Sequence, residues 1–133
     1  MSSESLHVPR EVLSAEARML HYAITSLKEE LDAADWYRQR ADDTEEAALK
    51  RILLHNMREE MEHAAMLIEW IRRHNADFAG HLQTYLFTDA PIVGIEQAAE
   101  AGAADPRGAA RDAAGADAVP GGGVTIGSLK GGR

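Results

Sequence analysis

Two stretches of helical hydrophobic period, separated by the short polar break Asp42-Asp43-Thr44, constrain this chain more than anything else in it. Leu13, Ala17, Leu20, Ile24, Leu27, Leu31 and Ala34 recur in steps of four and three, the spacing of one helix face. After the break, Leu49, Ile52, Leu53, Asn56, Glu60, His63, Leu67, Trp70 and Ile71 carry the same period. So short a break turns the second helix back along the first, and the pattern predicts an antiparallel hairpin. Pro9 suits a first helical turn, so the first helix is expected from about Pro9 to Ala41. The second is expected to run to about Asn75, with Asp43 and Glu46 as a capping-box-like start. A shorter helix over about Ala76 to Phe87 ends before Asp89-Ala90-Pro91, and a last weak turn covers Ile92 to Ala99. No stretch sustains the alternation of a β-strand, so the folded part reads as all-α.

Two helices alone bury little apolar surface, and scaffolds of this size are usually completed by a metal or a second chain. Of the 133 residues, those from 1 to 95 hold most of the large apolar side chains. The composition then changes. Residues 97–123 are almost entirely Ala, Gly, Asp, Arg and Pro, which cannot bury a core. Val124-Thr125-Ile126-Gly127-Ser128-Leu129-Lys130 restores aliphatic residues. The expected organisation is a helical domain over 1–98, a disordered Ala/Gly-rich linker over 99–123 and a short displayed peptide over 124–133. A linker of this kind reaches roughly 25–30 Å as coil.

The chain has no cysteine, which removes disulfides and thiolate metal sites from consideration. The formal net charge of -8 argues against nucleic acid as a partner and suits a protein that gathers cations. No apolar run is long enough to span a bilayer, and the start lacks the apolar segment of a signal peptide. No membrane partner and a cytoplasmic location are therefore expected.

The chemistry concentrates in Glu60-Met61-Glu62-His63. Glu60 and His63, three apart, project from one helix face, and a Glu-x-x-His pair is half of what a carboxylate-bridged di-iron site needs. Glu30 lies among Ala23, Leu27, Ala34 and Tyr37 at helical spacing. A carboxylate in such company is costly without a partner, and a cation would relieve it. The same residues also admit a surface Glu30 beside Glu29. Glu4 and His7 show the Glu-x-x-His spacing at the terminus, so spacing alone is weak evidence. One chain offers half the ligands, so the full site requires a two-fold dimer. Tyr37 could donate a hydrogen bond beside it. Glu29, Asp32 and Asp35 form an acidic patch that either gathers hydrated cations or is simply a solvated helix face.

Three blocks closely resemble the encapsulated ferritins. They are Glu29-Glu30-Leu31-Asp32-Ala33-Ala34-Asp35-Trp36-Tyr37, Glu59-Glu60-Met61-Glu62-His63-Ala64-Ala65-Met66 and His81-Leu82-Gln83-Thr84-Tyr85-Leu86-Phe87. The resemblance covers about residues 8–98 and the tail. It implies that the hairpin and short C-terminal helix dimerise into a ferritin-like four-helix bundle. It implies further that such dimers close into a homodecamer ring, with a ferroxidase centre at each dimer interface. Iron ligands would fall on Glu30, Glu60 and His63, with Tyr37 beside the centre. Glu29 and Asp32 would form an outer acidic site, where Asp32 stands in place of the family's Glu. Thr125 to Lys130 resembles the peptide by which cargo docks inside an encapsulin shell, which would place the protein inside an encapsulin nanocompartment.

The expected function is a ferroxidase, oxidising Fe(II) to Fe(III) with dioxygen at a di-iron centre shared by two chains and delivering the iron for storage in the shell. Two other classes stay open. One is a non-catalytic, metal-dependent helical assembly in which Ca2+ or Zn2+ takes the same ligands. The other is a helical adaptor that only carries the tail to a shell.

Overall fold

The computed structural model describes residues 6–102. The linker beyond residue 102 and the peptide at 124–133 lie outside the described residues. Among those described there is helix and turn but no strand. A single 3-10 turn, Arg10–Val12, precedes α1 (Ala15–Asp43), α2 (Ala47–His74), α3 (Ala76–Tyr85) and α4 (Ile92–Glu100). Residues up to Leu82 form one compact unit and those from Gln83 onward a second.

The first unit is the hairpin. α1 and α2 pack along each other, and the ends of the pair identify the arrangement as antiparallel. Glu16, Met19 and Leu20 from the start of α1 line one small cavity of about 160 Å³ with Trp70, His74 and Asn75 from the end of α2. The buried residues of α1 are all alanines, Ala23, Ala34 and Ala41, and those of α2 are Met57, Ala64 and Ile71. The α2 set repeats every seventh residue, the period of a coiled-coil seam. Small residues on α1 let the two backbones approach closely.

The seam keeps Ala34 and Ile71 of the expected stripe buried and Leu20, Ile24, Leu27, Leu53 and Leu67 half-buried, but part of the stripe stays outside it. Leu31 is 53% exposed, and Leu49 and Ile52 are also exposed. The helices instead meet along the alanines to one side of them, because close approach rewards small side chains.

Local chemistry sets the helix ends. Pro9 opens only the 3-10 turn, and α1 begins later than expected, at Ser14. The Ser14 hydroxyl accepts the Ala17 N–H at 3.0 Å, an N-cap bond. At the hairpin turn Glu46 caps α2 itself, rather than serving as the third residue of a box begun by Asp43. Its carboxylate accepts the N–H groups of Ala48 and Leu49 and sits at the positive end of the helix dipole. Arg72, Arg73 and His74 occupy the opposite end of α2. There Glu69 accepts from both arginines, and Arg72 above all holds the Glu69 carboxyl down at about 2. His74 donates from Nδ1 to the Trp70 carbonyl at 2.7 Å and stacks on the Trp70 ring at 4.0 Å. Asn75 then starts α3, its side-chain oxygen accepting the Phe78 N–H at 2.9 Å.

α3 stops two residues short of the expected Phe87, which instead adopts a left-handed conformation at φ 59°. That is the position past a helix end where glycine is usual. The Thr88 hydroxyl donates to the Tyr85 carbonyl at 2.6 Å and helps to fix the turn. α4 follows Pro91 and is a full helix of nine residues, with Ile95 buried, where the sequence suggested only a weak turn.

The alanine seam makes a direct prediction. Ala64 is 4% exposed, so Ala64→Leu should lower unfolding stability by about 1–3 kcal/mol through overpacking. Denaturant unfolding of the variant against the parent chain measures it.

Candidate metal centre

Midway along the hairpin, the seam brings one turn of α1 against one turn of α2. Glu30 contributes from α1, and Glu60 and His63 contribute from adjacent turns of α2. His63 Nδ1 lies 3.5 Å from a Glu60 oxygen and 3.6 Å from a Glu30 oxygen. One ligand atom from each residue falls within 4.8 Å of the other two. The carboxylate side chains are 26% and 22% exposed and the imidazole is 45% exposed, so the cluster is half-buried with His63 at its open edge.

The electrostatics show what the cluster lacks. Glu30 has a pKa raised above the ordinary carboxylate value. The largest cause is its hydrogen bond to Glu60. Burial and the Glu60 charge act in the same direction, and His63 opposes them. A proton on Glu30 relieves the repulsion between two carboxylates held together, which is why its pKa is raised. A cation would do the same work with more charge.

The donor set fits such an ion. Carboxylate oxygens and an imidazole nitrogen serve first-row divalent metals. Donors about 2.0–2.2 Å from an ion sit roughly 3–4 Å from one another, the range of the two His63 contacts. Three such donors would leave coordination positions of an ion open to further ligands.

The family pattern called EncFtn-like matches residues 5–89. The chain belongs to the EncFtn-like family. It is 53% identical over 131 residues to an encapsulated ferritin-like protein of Rhodospirillum rubrum, covering 98% of this chain and 91% of that one. It is 43% identical over 106 residues to a ferritin-like protein of Thermotoga maritima, covering 80% and 93%. Its fold is similar to a crystal structure of a Nitrosomonas europaea protein, with a TM-score of 0.65 and 50% identity over 67% of this chain and 98% of that one. The family match spans Glu30, Glu60 and His63.

The other residues singled out from the sequence fall elsewhere. Tyr37 follows Glu30 by seven residues and is half-buried. The Arg40 guanidinium lies 5.6 Å from its ring centre, a cation–π arrangement. Glu29 and Asp32 are exposed and stand outside the group that gathers Glu30, Glu60 and His63. Asp35 accepts from Gln39 at 3.0 Å on the exposed surface of α1. The outer acids are thus a solvated face of the single chain. What the sequence did not disclose is the direct Glu30–Glu60 contact, since residue spacing along one helix cannot report a distance between two.

The raised Glu30 pKa gives a pH-dependent prediction. A folded pKa raised above the unfolded value means that the native chain binds more protons through that window. Stability from this group is full below the ordinary carboxylate pKa and is lost as pH rises through the folded value. Glu30→Gln mimics the protonated form. In chelator-treated protein it should therefore raise Tm relative to wild type near neutral pH, with the gap closing at about pH 4. A divalent metal should raise Tm in wild type and leave the variant nearly unmoved. Calorimetry across pH, with and without metal, measures both effects.

Proposed function

We propose that this protein is a ferroxidase whose working centre forms between two copies of the chain, and that the Glu30–Glu60–His63 cluster is one half of that centre. The observation that carries the reading is the convergence of Glu30, Glu60 and His63, whose ligand atoms lie within 4.8 Å of one another where a cation fits. The EncFtn-like family and the ferritin-like names of the relatives supply the identity of the cation as iron. In this reading Fe2+ is the substrate. Glu30 and Glu60 hold it through oxygen, and His63 closes the open edge through nitrogen. Each Fe2+ gives up one electron, and dioxygen takes electrons and protons to become water. Ca2+ and Zn2+ would take the same donors without that chemistry.

The need for a second chain follows from ligand number and exposed surface. A carboxylate-bridged di-iron site takes two Glu-x-x-His motifs and two further Glu, twice what one chain contains here. The hairpin also leaves Tyr22, Trp36, Leu49 and Ile52 about half exposed, surface that a four-helix bundle would bury. In the proposed dimer, Tyr37 stands one heptad from the centre and would orient a ligand. Glu29 and Asp32 would concentrate Fe2+ outside it. Dimers then close into the homodecamer ring that the family resemblance implies.

The described hairpin encloses no space for a mineral, so oxidised iron must be stored elsewhere. The peptide at 124–133 supplies the proposed destination, an encapsulin shell reached through a linker over 99–123. Burying Ile126 and Leu129 would contribute on the order of 3–6 kcal/mol before ordering costs. Several tails on one assembly would bind far better than one. Among the described residues no helix is long and apolar enough to cross a membrane.

Aerobic Fe2+ oxidation tests the centre. Glu30→Ala, Glu60→Ala and His63→Ala should each lower the rate by at least about 10–100-fold, the cost of losing even an outer partner of a metal ligand. Wild-type rates in all three would overturn the assignment. Oxygen consumption that continues with excess Fe2+ separates an enzyme from a metal-held assembly. Deleting residues 124–133 should leave oxidation intact while abolishing co-purification with the shell protein. A truncated chain that still co-purifies would place the docking signal elsewhere.

A further inference from the structure

The chain has no cysteine, so its oxidisable sulfur is all thioether. Four of its five methionines lie among the described residues, and they fall into two classes. Met19, Met61 and Met66 are 45%, 52% and 63% exposed, whereas Met57 is 8% exposed. Met57 belongs to the seam between α1 and α2, three residues before Glu60. Side chains three apart on a helix share a face, with Cβ atoms about 5–6 Å apart. Met61 directly follows Glu60 in sequence, but one residue is about 100° round the helix. Met57 is therefore the thioether that is shielded from bulk water and yet shares a face, one turn away, with the carboxylate–histidine cluster.

Electron stoichiometry supplies an oxidant at that place. Two Fe2+ give up two electrons, and dioxygen needs four to become water. The two-electron product is hydrogen peroxide: O2 + 2 Fe2+ + 2 H+ → H2O2 + 2 Fe3+. A thioether consumes it with no further reductant: R–S–CH3 + H2O2 → R–S(O)–CH3 + H2O. The sulfur gives an electron pair to one peroxide oxygen and is oxidised, the O–O bond breaks, and the other oxygen leaves as water. We propose that Met57 is oxidised to its sulfoxide by hydrogen peroxide released at the Glu30–Glu60–His63 cluster, and that this modification unseats the seam that holds the cluster together.

This step rests on the ferroxidase reading under Proposed function and deepens it by naming a side reaction of the same site and its target. The sulfoxide oxygen is polar. The other buried residues of the seam are alanine and isoleucine, whose side chains offer it no hydrogen-bond donor. An unpartnered polar atom of this kind lowers the folded-to-unfolded ratio by about 5–30-fold. A sulfoxide on exposed Met19, Met61 or Met66 stays hydrated and carries no such penalty. Met57 thus couples loss of the site to the peroxide that the site itself releases, rather than to peroxide in the surroundings.

Peptide mass spectrometry of the full chain after two treatments tests it. In one, the chain oxidises Fe2+ aerobically with catalase present, which destroys peroxide that reaches bulk solution. In the other, chelator-treated chain receives hydrogen peroxide directly. Turnover should place the added oxygen on Met57 ahead of Met19, Met61 and Met66, and direct peroxide should reverse that order. Met57→Leu removes the sulfur with little change of volume. It should oxidise Fe2+ at the wild-type initial rate and lose activity at least about fivefold more slowly over repeated Fe2+ additions. Met61→Leu should lose activity as wild type does. Fe2+ oxidation that leaves Met57 unmodified, or that modifies the exposed methionines first, overturns the proposal and leaves the ferroxidase reading in place. So does a Met57→Leu chain that loses activity as fast as wild type. The wild-type peptide map decides the matter even where the variant folds poorly. A chain that oxidises no Fe2+ overturns both readings together.

Discussion

The contact between the Glu30 and Glu60 carboxylates is the constraint around which the hairpin is arranged. Like charges brought together across a helix seam oppose folding, and here the cost is expressed in a Glu30 pKa raised above the ordinary carboxylate value. The remaining seam is built to impose that contact. Alanines at 23, 34 and 41 and the heptad Met57, Ala64 and Ile71 fix the separation and register of the two helices. The Glu46 cap and the Glu69–Arg72–Arg73 fork stabilise the two ends of α2. Stability is spent at the middle of the hairpin and recovered along its length and at its ends, the usual distribution when a site must be held in an unfavourable state.

Much of the site was legible in the sequence, and the reason is geometric. Glu60 and His63 lie on one helix, where a separation of three residues is a fixed relation in space. Glu30 was legible because its helical neighbours are apolar. The break at Asp42-Asp43-Thr44 then placed the two helices antiparallel and brought residues 30 and 60 level with each other. The packing face was harder to read. Leu31 satisfies the period and is nonetheless exposed, because hydrophobic period reports an apolar surface without saying which part of it meets the partner helix. Ser14 and Glu46 displaced the expected helix starts for a related reason. Caps depend on which side-chain oxygen reaches a free N–H, and several candidates stood within one turn. Phe87 was the least legible, since nothing in its side chain suits a left-handed backbone.

The surface left uncovered is the other half of the architecture. A small hairpin of this size cannot bury its aromatic and aliphatic residues by itself, and Tyr22, Trp36, Leu49 and Ile52 remain half exposed. Exposed apolar surface of this extent marks an interaction face. Leu31 and Met61, at 53% and 52% exposure, add further uncovered apolar surface on the same hairpin. In the proposed reading the chain is incomplete in its ligands as well as in its core, and a second chain would remedy both deficits at once.

That coincidence has a thermodynamic consequence. When ligands from two chains converge on one site, any ion that prefers the complete site also stabilises the dimer, by mass action. Metal binding and association then share one coupling free energy, and the dependence is reciprocal. Ion concentration raises dimer affinity, and chain concentration raises metal affinity by the same factor. The raised Glu30 pKa brings protons into this linkage, because a carboxyl must be ionised before it can bind the ion. In the proposed assembly, acidification would oppose metal loading and dimer formation together.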